Sequence, residues 1–130
     1  MIVDTSALIA IITDEPGSGA LCEALLAAPT RAISAPNRLE ASIVLGARGL
    51  ADPDSVVGRF LEQVATRTID FDATHAAAAV DAWQRYGRGR HPAKLNYGDC
   101  MAYATAKLAG EPLLYVGDDF TLTDLEDLGT

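Results

Sequence analysis

Five acidic residues sit where a carboxylate has little obvious structural work. In the opening MIVDTSALIA, three apolar residues lead straight into Asp4, and apolar residues resume after Thr5 and Ser6. Near the other end, LLYVGDDF puts Asp118 and Asp119 one glycine after an apolar run. Between them lie Glu40 in RLEASIV and Asp99 in NYGDCMAYATAK. Carboxylates gathered from distant parts of a chain repel one another. Two of them roughly 5 Å apart do so by about 3 kcal/mol at an effective dielectric of ~20. Either some stay protonated or a cation fills the gap. Hard cations such as Mg²⁺ or Mn²⁺ take oxygen ligands, keep several waters and bridge to phosphate oxygens. A divalent ion ringed by carboxylates at phosphate height supports in-line phosphodiester hydrolysis. Zinc has no competing His or Cys cluster, because Cys22 and Cys100 fit no metal spacing.

Such a cluster needs a scaffold that brings those positions together. Strands are expected at residues 2–3, 31–34, 68–71 and 113–116, from β-branched and apolar runs bounded by turn residues. Helices are expected at 6–12, 18–28, 36–49, 53–65, 76–86 and 96–110. Pro36 suits a helix start, Thr74 is the expected N-cap of the fifth helix, and Asn96 is that of the sixth. Strands alternating with helices imply a short, mainly parallel sheet with helices on both faces, an α/β fold. In such sheets the functional crevice lies outside the carboxyl ends of the strands. Asp4 ends the first strand there, and Asp118 and Asp119 follow the last.

Glu40 and Asp99 are placed by helical geometry. At about 100° per residue, Leu39, Ile43, Val44, Gly46 and Ala47 form one arc and Asn37, Arg38, Ser42 and Arg48 the other. Glu40 lands near the middle of the apolar arc, so it is expected to point inward, where a carboxylate needs a cation or strong donors. Asp99 shares a face with Ala102, Tyr103 and Ala106, and Asn96 three residues earlier also makes it a capping acid.

With 130 residues the chain fits one domain, residues 1–130, large enough to bury a core without staples. Its apolar runs are too short for a membrane span, and its N-terminus lacks the basic region of a signal peptide. A cytoplasmic protein with two reduced cysteines is the resulting expectation. A net charge of −8 argues against simple electrostatic binding of nucleic acid. The distribution qualifies this, since no acid occurs from Trp83 to Gly98 while Arg85, Arg88, Arg90, His91 and Lys94 do. That stretch can hold a polyanion beside Asp99, giving affinity and register but not sequence choice. Acids crowd the other end, at Asp118, Asp119, Asp124, Glu126 and Asp127.

The order IVDTSAL, RLEASIV, GRGRHPAKLNYGDCMAYATAK, LLYVGDDF resembles a PIN domain along the whole chain. More narrowly it resembles VapC, the toxin of bacterial and archaeal VapBC toxin–antitoxin pairs. The resemblance implies a three-layer α/β/α fold and a Mg²⁺- or Mn²⁺-dependent endoribonuclease acting on RNA such as tRNA, rRNA or mRNA. It implies that Asp4, Glu40 and Asp99 form an acidic triad, with Asp118 or Asp119 as the fourth acid. It matches Ser6 and Asn96 to polar residues beside the first and third acids, Ser6 hydrogen-bonding a ligand or a water. It also implies a homodimer and a VapB antitoxin that places a C-terminal segment, often with an arginine, in the acidic site.

Two other classes fit less well. Haloacid-dehalogenase-type phosphotransferases need a second acid at the position of Ser6, and receiver domains need a lysine after the last strand, where none follows Val116. A catalytically inert binding module would have no need of all the acids.

Overall fold

A computed structural model describes residues 1–125; Glu126 and Asp127, which belong to the acidic C-terminal run, lie outside the described residues. Four strands form one parallel sheet in the order β3-β2-β1-β4. They are β1 (Ile2–Val3), β2 (Ala32–Ser34), β3 (Arg67–Ile69) and β4 (Leu113–Leu114). Ile2 lies opposite both Ala32 and Leu113, and Val3 opposite Leu114. The chain moves outward from β1 to β2 and β3, then returns to place β4 on the other side of β1. That reversal opens a crevice between β1 and β4 at their carboxyl ends.

Successive strand residues point to opposite faces, and each face has its own core. Val3, Ile33 and Leu114 pack with α1 (Thr5–Ile12), α2 (Ser18–Ala27), α3 (Ala35–Ala47) and α4 (Pro53–Gln63). Ile2, Ala32 and Leu113 pack with α5 (Ala73–Tyr86) and α6 (Tyr97–Ala109). The result is three layers, α/β/α. Helix α6 is buried on almost every side, from Cys100 through Ala106. Its alanines let it lie close to the sheet, and Gly110 ends it in the left-handed conformation that glycine tolerates. Cys22 and Cys100 are free thiols. Among the described residues no helix is long and apolar enough to cross a membrane.

Three expectations are corrected. The strands expected at 68–71 and 113–116 are shorter and begin at Arg67 and Leu113. The N-cap of α5 is Asp72, not Thr74. Asp72 accepts from the His75 backbone N–H, and His75 returns a contact to the Asp72 backbone N–H. The largest correction concerns α3. Its buried face is Asn37, Ala41 and Leu45, whereas Leu39 and Ile43, expected inside, are about 60% exposed (61% and 60%).

This face of α3 can be tested with Leu45, which is 1% exposed in the core. Leu45→Ala should cost about 2–5 kcal/mol, read from the urea midpoint of unfolding. A loss below about 1 kcal/mol would mean that α3 presents another face to the sheet.

Candidate active site

Asp4 immediately follows β1 and is the N-cap of α1, with its side chain accepting the Ser6 backbone N–H at 3.1 Å and the Ser6 hydroxyl at 2.5 Å. It is 3% exposed. The Ser6 hydroxyl in turn accepts the Val116 N–H at 3.0 Å. Ser6 thus ties Asp4 to the segment that follows β4.

Asp99 and Asn96 form a reciprocal cap at the start of α6. Asp99 accepts the Asn96 backbone N–H at 3.0 Å, and Asn96 Oδ1 accepts that of Asp99 at 2.9 Å. The carboxyl group of Glu40 lies over the same first turn, so close that a Cβ on Gly98 would fall within 2.7 Å of all three of its atoms. Gly98 therefore makes room for Glu40. Glu40 is half-buried at the border of the α3 core face, not central to an apolar arc.

Asn37, fully buried, holds these pieces together. Its amide donates to Thr5 Oγ1 at 3.1 Å and to the Gly98 carbonyl at 3.2 Å, and its Oδ1 accepts the Ser34 hydroxyl at 2.6 Å. Ser34 Oγ also accepts the Asn37 backbone N–H, capping α3 at the end of β2. One asparagine thus links α1, α3 and α6, the helices that begin beside or carry Asp4, Glu40 and Asp99. Sequence reasoning placed Asn37 on the outer arc of α3. A polar residue three positions after a capping serine was the available signal.

Asp4, Glu40 and Asp99 line one cleft of about 300 Å³ with Ser6, Asn96 and Val116. Burial pushes the Asp4 carboxyl up to about 7; the Ser6 hydrogen bonds pull it back, and the charges of Asp99 and Glu40 add to the rise. Burial likewise pushes Asp99 up to about 6, against the Asn96 N–H and with the charges of Asp119 and Glu40. The acids therefore sense one another. The N-termini of α1 and α6 offset part of the repulsion, since both aim backbone N–H groups and the positive end of a helix dipole at it.

Asp118 and Asp119 differ in placement. Asp119 starts a 3₁₀ turn, Asp119–Leu122, anchored by the buried Phe120, and its charge reaches Asp99. Asp118 lines a separate hollow with Pro16, Gly17 and Leu21.

The donor set is all oxygen, which suits a hard cation and not zinc. Among the described residues no three His, Cys, Asp or Glu side chains close into a ready-made cation cage. An open arrangement fits Mg²⁺, which takes one or two carboxylates directly and keeps waters for the rest of its shell.

None of the five candidates of the basic stretch lines the acidic cleft. Arg85 reaches Asp81 and Asp124 at 3.5 Å each. Arg90 stacks 4.6 Å over the Trp83 ring and donates to the Gln84 carbonyl. His91 accepts the Ala93 N–H and meets the Tyr86 ring edge-on. Lys94 is exposed in a left-handed turn. Arg88 lines a larger groove of about 580 Å³ between α5 and α6, with Val80, Trp83, Tyr97 and Met101. Among the described residues that groove is apolar and has no carboxylate to support the chemistry; Asn96 lines both spaces. Sequence reasoning missed Arg48 and Glu15, which do line the acidic cleft.

The PIN domain family model matches residues 1–125. "Ribonuclease VapC" of Mycolicibacterium smegmatis is 44% identical over 96% of this chain and 97% of its own. "Ribonuclease VapC36" of Mycobacterium tuberculosis is 46% identical over 99% of this chain and 94% of its own. Among solved structures, M. tuberculosis VapC20, titled a Sarcin-Ricin loop cleaving toxin, superposes with a TM-score of 0.78 at 17% identity, over 98% of this chain and 97% of that one. A toxin–antitoxin complex from Klebsiella pneumoniae matches with a TM-score of 0.69 at 22% identity, over 95% of this chain and 92% of that one.

The raised carboxyls fix the sign of a stability effect. Between the ordinary 3.8 of Asp4 and its folded value of about 7, the folded chain holds a proton that the unfolded chain has released. Stability without a cation therefore falls as pH rises through that window. Asp4→Asn keeps the capping oxygen and removes the buried charge. It should raise stability by about 1–3 kcal/mol near pH 7.5 in chelator, with the gain shrinking toward pH 4. Urea midpoints across pH measure it, and a destabilised variant at neutral pH would refute a costly Asp4 charge.

Proposed function

The chain belongs to the PIN domain family and, within it, to the VapC ribonucleases; from that premise we propose that it is a Mg²⁺- or Mn²⁺-dependent endoribonuclease, the toxin of a toxin–antitoxin pair. The observation that carries this reading is the convergence of Asp4, Glu40 and Asp99 on one cleft at the carboxyl edge of the sheet, with Asp4 and Asp99 shifted by burial and by neighbouring charge.

In this reading Asp4, Glu40 and Asp99 hold the cation, with Asp119 as the fourth acid. Asp119 is favoured over Asp118 because its charge reaches Asp99. A bound Mg²⁺ or Mn²⁺ supplies activation of water and neutralisation of charge on the phosphoryl oxygens. The protein's own part is to place the acids. Ser6 fixes the Asp4 carboxyl, the α6 cap fixes Asp99, and Gly98 admits Glu40. Asn96 lines the cleft with its Oδ1 taken up by the Asp99 N–H, which leaves its Nδ2 as the group that could donate to a phosphate or a water. The substrate is RNA, with tRNA, rRNA and mRNA as candidates. We further propose a cytoplasmic homodimer inhibited by a VapB-type antitoxin, whose basic C-terminal segment would neutralise the same acids. Membership of the VapC family, with a structural neighbour solved as a toxin–antitoxin complex, supports that partner.

Chelation of divalent ions should abolish RNA cleavage, and added Mg²⁺ or Mn²⁺ should restore it. Glu40→Gln, Asp99→Asn and Asp119→Asn should each lower cleavage by roughly 100-fold or more, whereas Asp118→Asn should stay within about threefold. Gel-resolved cleavage of host RNA checks both, and full activity in chelator would end the metal-dependent reading.

Gly98→Ala separates placement from folding. Alanine favours the helix by up to about 1 kcal/mol over glycine, but its methyl displaces the Glu40 carboxyl. Cleavage should fall at least about tenfold, because small misplacements of catalytic groups carry large penalties, while the melting temperature holds or rises. Wild-type activity in that variant would remove Glu40 from the site.

A further inference from the structure

Among the described residues the acidic cleft has one cationic side chain in its wall. Of the residues lining it, Asp4, Glu15, Glu40 and Asp99 are acids and only Arg48 is a lysine or arginine. The other cations of the chain are engaged or distant. Arg31 donates to the carbonyls of Leu25 and Leu26, Arg38 to Thr68 and Arg59 to Ser55. Arg85 and Lys107 converge on Asp124, and Arg90 covers Trp83.

Arg48 is the C-cap of α3, two turns beyond Glu40. Its only ion pair among the described residues is with Glu15, 3.6 Å away, with side chains 56% and 42% exposed. Glu15 follows α1, and the same oxygen is also approached by Thr13 Oγ1 at 3.4 Å. A pair this long and this exposed is weak and is readily exchanged for a better anion. A phosphodiester is that anion, because the planar guanidinium matches two phosphate oxygens at once.

We propose that Arg48 is a phosphate-binding residue of the cleft, holding an RNA phosphate next to the scissile one, and that Glu15 occupies it when RNA is absent. This rests on the ribonuclease reading above. An RNA strand entering a wall of four carboxylates meets repulsion at every point except the cation and Arg48. The arginine therefore sets which side of the metal site the flanking backbone occupies. Glu15 competes for the same guanidinium, so it lowers RNA affinity and discourages adventitious anions. The basic stretch from Arg85 to Lys94 does not line this cleft.

The test uses the full chain and a labelled pool of random-sequence single-stranded oligoribonucleotides, with binding read in Ca²⁺ to hold cleavage off and cleavage read in Mg²⁺. Binding by fluorescence anisotropy should weaken about tenfold in Arg48→Ala. The slope of log affinity against log salt should fall by about 0.7, the value for one single-strand phosphate contact. Arg48→Lys should restore the slope and part of the affinity. Glu15→Gln should act in the opposite direction, tightening binding about two- to threefold. Cleavage should follow, with the Arg48→Ala loss greatest at limiting RNA and largely recovered at saturation. Unchanged binding and slope in Arg48→Ala would overturn the proposal. So would Arg48→Ala and Glu15→Gln weakening binding together with equal losses in melting temperature, the signature of a structural tether. Wild-type chain that binds the pool through Arg48 but never cleaves RNA with Mg²⁺ or Mn²⁺ would instead overturn the ribonuclease reading, and the binding arm would still decide the phosphate site.

Discussion

Mutual repulsion among carboxylates is the constraint around which this molecule is organised. Left to electrostatics, Asp4, Glu40 and Asp99 would separate. They are held by a buried polar knot in which Asn37 bonds Thr5, Ser34 and Gly98, so α1, α3 and α6 cannot shift independently. Every polar group of the Asn37 amide has a partner, which is what allows it to be fully buried. Removing one partner would strand the others in a place water does not reach. The helix N-termini do the second part of the work. Asp4 sits at the start of α1 and Asp99 at the start of α6, and the carboxyl of Glu40, carried by α3, lies over that same first turn of α6 at its positive end. The parallel sheet makes this possible, because its reversal between β1 and β4 brings the starts of those helices to one edge.

The fold was legible where local signals agreed. Short apolar runs with polar ends marked the strands, and Asn96 with Asp99 marked the start of α6. Asp4 was conspicuous because a carboxylate directly after a two-residue strand lands at the sheet edge. Glu40 was selected on a faulty premise. The helical wheel assumed that the buried face of α3 is its apolar face, but Leu39 and Ile43 face outward and Asn37 faces in. A wheel counts apolar residues and has no means of seeing a buried face built around a satisfied asparagine. Thr74 was the expected cap of α5, and the reciprocal contact between Asp72 and His75 moves the cap two residues earlier.

The basic stretch shows a different limit. Density of charge along the chain does not report which cations remain available in space. The segment folds back, with a bridge between Gly87 and Leu95, and Arg85 and Arg90 are taken up by neighbours. Arg48, isolated in sequence, lies in the cleft because α3 delivers both it and Glu40 to the same edge. The preference for Asp119 over Asp118 in the proposed site likewise needed three dimensions. The burial of Phe120 fixes the turn so that Asp119 acts on Asp99 while Asp118 lies beside α2.

The site is also a place where the fold gives up stability. A carboxyl raised to about 7 in a chain whose unfolded state ionises near 3.8 opposes folding at neutral pH. A cation bound only by the folded chain reverses that sign, because it favours the ionised acids and stabilises by mass action. The same linkage couples occupancy to protons, since a cation binding to Asp4 and Asp99 must displace those they hold near their raised values. A net charge of −8 then poses no contradiction for a protein that handles a polyanion. On the proposed reading, access is decided by the local balance in the cleft, where a bound ion and Arg48 would stand against four carboxylates. The remaining negative surface repels RNA elsewhere and leaves that edge as the favourable approach.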